Sequence, residues 1–260
     1  MISDFKKYLK ADYFRIVLKN KLRFVNFKEE RVGKHIIKYP YRPYFYGLYY
    51  EIFIEDNYSI QGLENCKNII DAGSNIGISV SYFSQTYPKA QIECFEPNPE
   101  AIEYLRENIE RNKMNANINK YALGSENKQV VFYTDSEIKG SSNAGSVKLM
   151  EAKNRPSHEI RVDSRKLSDF IKSESTIDIL KLDIEGGEMD VMNDLVATGK
   201  IAQIRTIFVE FHYDPKNLPQ SLSEFLGILE NSKFHYYINK RQNIKITESL
   251  THSYIIFAFR

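Results

Sequence analysis

"IIDAGSNIGISVSYFS", residues 69–84, carries an apolar strand into Asp71, turns through two glycines four positions apart, and resumes as an amphipathic helix. This strand, turn and helix are the opening unit of an open α/β sheet, in which ligands gather beyond the carboxyl ends of the strands where strand order reverses. Gly73 permits a close backbone approach or a positive φ, and Gly77 lets helix and strand come together. The turn through Gly73, Ser74, Asn75 and Ile76 is expected to leave backbone N–H groups free for something small and polar.

Outward from this unit the pattern alternates. "KNIIDA" (67–72) and "AQIECFE" (90–96) read as buried strands on either side of a helix ended by Pro88. A helix within "NPEAIEYLRENIERNK" leads to expected strands at 117–123 and 128–134 and, after a long connection, 158–164. "RKLSDFIKS" reads as a helix, "TIDILKLDI" (176–184) as a central strand, "GEMDVMNDLVATG" as a helix and "IRTIFVEFH" (204–212) as a strand. "SLSEFLGILENS" supplies one more helix, and "FHYYIN" and "SYIIFAFR" two last strands with no helical crossover between them. The alternation implies a doubly wound, mostly parallel α/β sheet, and the missing crossover an antiparallel C-terminal hairpin. Residues 135–157, rich in Ser, Gly and Asn, read as a mobile connection or a lid over the sheet.

The 260 residues are 42% hydrophobic and 27% charged, an ordinary globular balance with length for one sizeable core. No apolar run reaches the ~20 residues needed to span a bilayer. The first residues show no secretory pattern, so a cytoplasmic location is expected. Cys66 and Cys94 suit buried thiols better than a disulfide framework or a zinc pair. Charge is uneven: residues 1–43 hold twelve Lys or Arg against four Asp or Glu, although the whole chain is only +2. A basic, helical, aromatic-rich extension over 1–60 is therefore expected before a main domain over 61–260. Its first helix either packs an apolar stripe on that domain or meets an anionic membrane or polymer through residues 1–43. No nucleic-acid motif is present.

Glu96 ends the second strand, precedes Pro97, and lies 23 positions after Gly73, close to the ~20 expected of an acid that takes ribose hydroxyls. A dinucleotide turn has G-x-G-x-x-G, whereas here Asn75 stands where the middle glycine belongs, which speaks against a nicotinamide-dependent oxidoreductase. Asp71 at the mouth of the turn repels a pyrophosphate and favours a cationic group. A ribose beside a positive centre describes S-adenosyl-L-methionine. A non-catalytic nucleoside-binding module on the same fold is the remaining alternative.

"IIDAGSNIG", "CFEPNP", "YALGS", "IDILKLDIEGGE" and "VEFH" resemble, in order, the FkbM family of class I S-adenosylmethionine-dependent methyltransferases, over roughly residues 60–212. The resemblance implies a seven-stranded Rossmann-like sheet whose last strand is antiparallel. It also implies methylation of a hydroxyl on a sugar, a glycan or a sugar-bearing natural product. It places Asp71, Gly73, Asn75 and Gly77 around the methionine part of the cofactor, Glu96 at the ribose, and Ala122 and Leu123 beside the adenine; Ser74 and Pro97 complete the expected cofactor-binding set. Ser125 departs from the acid that many members carry after the "ALG" run.

Methyl transfer to an alcohol needs an aligned oxygen and a group to take its proton. The carboxyl ends of the two central strands offer Asp183 with Glu185, and Glu210 with His212. His212 is the first choice for the base, because imidazole titrates near neutrality. Asp183 is the alternative base or orienter, and Lys181 pairs with Asp183 or Glu210 to fix the site. Glu188 reads as an acid favoured by a helix N-terminus. The acids with His212 have the chemistry to take a divalent cation, but none is expected to be required. The aromatic run "YPYRPYFYGLYYEIFIEDNY" (39–58) is expected to wall the acceptor pocket or to connect across the sheet edge.

Overall fold

A computed structural model of the chain describes residues 12–18, 28–58, 60, 62–135, 157–213, 220–240 and 252–260. The start of the basic segment, nearly all of the 135–157 connection and the stretch between the last two strands lie outside the described residues.

After a short helix over 12–18, strands β1 (Glu29–Val32) and β2 (His35–Lys38) form an antiparallel hairpin. Helix α1 (Arg42–Tyr49) then runs into a single π turn (Tyr50–Ile54). The main domain continues as β3 (Asn68–Ala72), α2 (Ile78–Thr86), β4 (Gln91–Phe95), α3 (Pro99–Asn112), β5 (Ala116–Asn119), β6 (Ala122–Leu123) and β7 (Lys128–Asp135). Next come β8 (Ser157–Arg165), β9 (Ile179–Leu182), α4 (Glu188–Ala197), β10 (Thr206–Tyr213), α5 (Leu222–Asn231), β11 (His235–Lys240) and β12 (His252–Phe259).

Seven strands form one sheet in the order β11-β12-β10-β9-β3-β4-β5. All neighbours from β10 to β5 are parallel, and β12 lies antiparallel between β10 and β11. The chain moves outward from β3 to β4 and β5 on one side and to β9 and β10 on the other. The switch point thus falls between β3 and β9, above which a ligand site belongs. One face carries Ile69, Ile179 and Phe208 against α2, α3 and the N-terminal segment. The other carries Ile70, Leu180, Leu182 and Val209 against α4 and α5. Period-two alternation puts Asp71, Lys181 and Glu210 on the first face, and Asp71 pairs in register with Lys181.

The N-terminal segment shares this core rather than standing beside it. Ile16, Val32, Ile37, Tyr39, Phe45, Tyr49 and Phe53 are buried in the same cluster as α2 and α3. Ile16 is therefore packed on the domain, and the helix over 12–18 is pinned by Asp12, which accepts from Gly33 N (2.6 Å), and by Arg15 on Glu30 (3.1 Å). The extension is not purely helical, because residues 29–38 bury alternate side chains and form a hairpin. Asn108 and Asn112, one turn apart on α3, hydrogen-bond the β2 backbone as a neighbouring strand would. Asn112 pairs with both N and O of Ile36, and Asn108 with both N and O of Lys38, all at 2.8–2.9 Å.

Two other expectations are corrected. The strand over 117–123 splits: β5 ends at Asn119, and β6 leaves to pair with β8 in a separate three-stranded sheet, β6-β8-β7. Tyr121 turns the chain at this point, its ring covered by Arg165 (5.1 Å) and packed near Phe170 (5.9 Å). The segment after β8 forms only a 3₁₀ turn, Leu167–Phe170, because Ser168 gives both its N–H and its hydroxyl to Asp194 (2.9 and 2.8 Å). Cys66 and Cys94 are buried free thiols. Among the described residues no helix is long and apolar enough to cross a membrane.

Candidate active site

A cleft of about 260 Å³ opens above the carboxyl ends of β3, β4, β9 and β10. Gly73, Ser74, Asn75, Glu96, Pro97, Ala122 and Leu123 line it, as do Lys181, Asp183 and Glu210. Three residues singled out from the sequence do not: Asp71, Gly77 and His212 lie behind its wall.

The turn after β3 is shaped by Gly73 (φ 81°), Asn75 (φ 48°) and Gly77 (φ 89°). A Cβ on Gly73 would fall 1.8 Å from the carbonyl oxygen of Asp183, so β3 and β9 can exit side by side only with glycine here. We expect Gly73→Ala to lower unfolding stability by about 3 kcal/mol or more in denaturant titration, since positive φ and a backbone clash act together. Gly227→Ala, within α5 and with nothing within 4 Å, is the control and should gain roughly 0.5–1 kcal/mol. The neighbour that Gly77 admits is Leu105 of α3, at 2.9 Å from an added Cβ, rather than the strand.

The backbone N–H groups of this turn are not free. Gly73 and Ser74 both donate to Phe95 O (2.9 and 3.0 Å), and Asn75 donates to Glu96 Oε2 (2.9 Å). Ile76 donates to the Asn75 side chain (2.7 Å) and Gly77 to Ser74 O (2.9 Å). The second oxygen of Glu96 accepts from Asn98 N (2.8 Å). Glu96 is 5% exposed, and burial raises its carboxyl to about 7, against the pull of those two N–H groups. Each of its oxygens keeps a further acceptor position.

Asp71 is fully buried. Its Oδ2 accepts from Ser79 (2.6 Å), and its Oδ1 faces the Lys181 ammonium at 3.3 Å, so its charge meets a neighbour in the fold rather than a ligand at the mouth of the turn. Lys181 donates to Gly73 O (2.7 Å) and Ala72 O (3.2 Å) and lies 3.6 Å from Asp183. Burial penalises its charge, but Asp71, Asp183 and Glu210 outweigh that and hold it above the usual lysine range. It ties the end of β3 to the acids of β9.

At the ends of β9 and β10, His212 is enclosed by carboxylates. Nδ1 lies 3.0 Å from Glu188, and Nε2 lies 3.2 Å from Glu185 and 3.7 Å from Glu210. Burial opposes its charge, yet Glu185, Glu188 and Glu210 raise it well above the usual histidine range. Both ring nitrogens of His212 thus face carboxylates, and the ring does not line the cleft. Glu188 is also more than a helix-end acid: it is fully buried and accepts from Ile184 N (3.3 Å) and Gly186 N (3.1 Å) as well as facing His212. Glu185 holds φ 57° and lines the cleft. Glu210 is raised to about 8 by burial, Asp183 and Glu185, with His212 pulling the other way.

Sequence reasoning missed the cleft's far wall. The small sheet contributes Lys128, Val130, Phe132 and Ser164, and nothing in the alternating run 128–134 says that it leaves the main sheet. From the N-terminal side come Tyr44, Leu48, Glu51, Ile52 and Tyr58, all within the aromatic run 39–58 that the sequence singles out as a pocket wall. The π turn, closed by Glu55 N on Tyr50 O (3.0 Å), carries two of these, as such turns do at functional sites. Tyr58 stands edge-on to Phe208 (5.3 Å) and Tyr82 (6.0 Å).

Comparison with known proteins finds the methyltransferase FkbM domain over residues 71–236. "Methyltransferase 1" of Beauveria bassiana is 30% identical over 165 residues, covering 56% of this chain and 65% of that protein. "2-O-methyltransferase NoeI" of Sinorhizobium fredii is 30% identical over 178 residues, 62% of this chain and 69% of that protein. "Hexuronic acid methyltransferase AglP" of Haloferax volcanii is 28% identical over 180 residues, 66% of this chain and 70% of that protein. The chain thus spans about two thirds of the length of these relatives.

Proposed function

Because the chain belongs to the methyltransferase FkbM domain family, we propose that it transfers a methyl group from S-adenosyl-L-methionine to a hydroxyl of a sugar, a glycan or a sugar-bearing natural product. The observation that carries the cofactor is the pairing of Glu96 with a glycine turn whose five N–H groups, from Gly73 to Gly77, are all engaged within the chain. An acid at this position suits ribose hydroxyls, and a turn with no N–H to offer cannot cradle phosphates. A nucleoside without phosphates fits, and a dinucleotide does not. When bound, the cofactor supplies an electrophilic methyl on a sulfonium.

Glu96 then holds the ribose beside Pro97, Gly73, Ser74 and Asn75 flank the methionine part, and Ala122 and Leu123 border the adenine. Asp71 acts from behind, through Lys181. Among the candidates for taking the hydroxyl proton, Glu210 and Asp183 both line the cleft; Asp183 faces the Lys181 ammonium at 3.6 Å whereas the Glu210 carboxyl is raised to about 8, so Glu210 replaces His212 as base, with Asp183 beside it. Tyr44, Leu48, Ile52 and Tyr58 wall the acceptor side, where aromatic rings stack on sugar faces. A carbohydrate acceptor is supported by the Haloferax relative, named a hexuronic acid methyltransferase, and a hydroxyl as methyl acceptor by the 2-O-methyltransferase of Sinorhizobium.

Two measurements test this. Calorimetry should show binding of S-adenosylhomocysteine and none of NAD. Incubation with S-adenosylmethionine and a panel of glycan and glycoside acceptors should yield a product heavier by one methylene. Binding of NAD alone, or nucleoside binding without turnover on any hydroxyl acceptor, would overturn the proposal.

A further inference from the structure

We propose that the ends of β9 and β10 form a divalent-cation site, with Asp183, Glu185 and Nε2 of His212 as ligands, that holds two neighbouring hydroxyls of the acceptor. The second half of this rests on the function proposed above, and the first does not.

One donor atom from each of Asp183, Glu185 and His212 lies within 4.8 Å of the other two. Ligands bound to one ion at roughly 2.0–2.6 Å stand at about this mutual distance. All three belong to the strand ends beneath the cleft, and Asp183 and Glu185 line it, so an ion there would keep open positions toward the acceptor.

A second element supports the site independently. Glu188, at the start of α4, is fully buried and reaches into the cluster, its Oε1 3.0 Å from Nδ1 of His212. Metal-bound histidines are oriented in this way, with a carboxylate on the far ring nitrogen. The other oxygen of Glu188, Oε2, is buried with no hydrogen-bond partner, a costly arrangement for a carboxylate. Asp71 and Asp183 face Lys181, and Glu185, Glu188 and Glu210 face His212. A dication would sit among these carboxylates at the strand ends.

Two carboxylates with one imidazole form a mostly hard donor set that suits Mn²⁺ or Mg²⁺. The class of acceptor follows from the remaining coordination positions: a vicinal diol fills two of them and presents one oxygen to Glu210.

The test uses the full chain, stripped with chelator and titrated with Mn²⁺ alone while free Mn²⁺ is followed by electron paramagnetic resonance. One ion per chain is expected. Asp183→Asn and His212→Gln should each weaken binding at least about tenfold, and Glu188→Gln by about 10–100-fold. Glu103→Gln, exposed on α3, should leave it unchanged. Thermal unfolding of every variant, with and without Mn²⁺, separates lost binding from lost folding, since only a folded chain lacking the site melts cooperatively without a Mn²⁺-induced rise. A wild-type chain that takes up no stoichiometric Mn²⁺ at millimolar concentration, or one whose affinity ignores Asp183 and His212, overturns the site. S-adenosylhomocysteine titrated in chelator distinguishes the two readings. Its failure beside intact Mn²⁺ binding sinks the methyltransferase assignment and leaves the cation. The reverse outcome leaves the assignment and removes the cation.

Discussion

Glu96→Ala is expected to weaken S-adenosylhomocysteine binding by about a thousandfold, since two hydrogen bonds to a charged acceptor are worth ~1.5–3 kcal/mol each and ~1.4 kcal/mol is tenfold. The truncation also strips acceptors from the N–H groups of Asn75 and Asn98, so part of its effect passes through the turn. Glu96→Gln keeps the shape and removes the charge, and its pH behaviour is the sharper readout. In the wild type the carboxyl titrates near 7, and only the ionised form accepts from both hydroxyls. Affinity should therefore fall as pH drops below about 7, by up to tenfold per unit, and level off above it; Glu96→Gln should lose this dependence. Stability moves in the opposite sense. The folded protein holds a proton that the unfolded chain releases at its lower carboxyl value, so this residue's contribution is full below the unfolded value and is lost as pH rises through about 7. An affinity within threefold of wild type in Glu96→Ala, or an unchanged pH curve in Glu96→Gln, would remove Glu96 from the ribose.

The second large effect concerns proton removal. Glu210→Gln should lower kcat by about 10²–10⁴, the usual share of a positioned base, while the dissociation constant for S-adenosylhomocysteine stays the same. The substitution is nearly isosteric, and Glu210 sits on β10 between Val209 and Phe211, whose packing it does not enter. Single-turnover rates with a saturating acceptor separate this loss from weakened acceptor binding. A kcat within fivefold of wild type would move the base to Asp183.

The order of strands was legible because continuous apolar runs and amphipathic helices alternate, and because nothing helical joins the last two strands. The split at Tyr121 was not, since it depends on Arg165 closing over a ring more than forty positions away. Seven of the nine residues expected at the cofactor do line the cleft, since a turn and a strand end lie where local pattern puts them. What local pattern lacks is the far partner. Asp71 points to an ion pair with Lys181, 110 residues on, and His212 to Glu188 on a different element. For the same reason the N–H groups of Gly73, Ser74 and Asn75 are not legible as engaged: their acceptors, Phe95 and Glu96, come from the end of the next strand.

Asn108 spans two tasks, since its amide nitrogen donates to Lys38 O and also to Ile76 O in the turn beside the cleft. One side chain thereby makes the hairpin a buttress for the loop that lines the cleft. Cutting the protein back to its Rossmann-like part would bare the aromatic flank of α2 and strand two amides, so a useful catalytic fragment must begin upstream of residue 28.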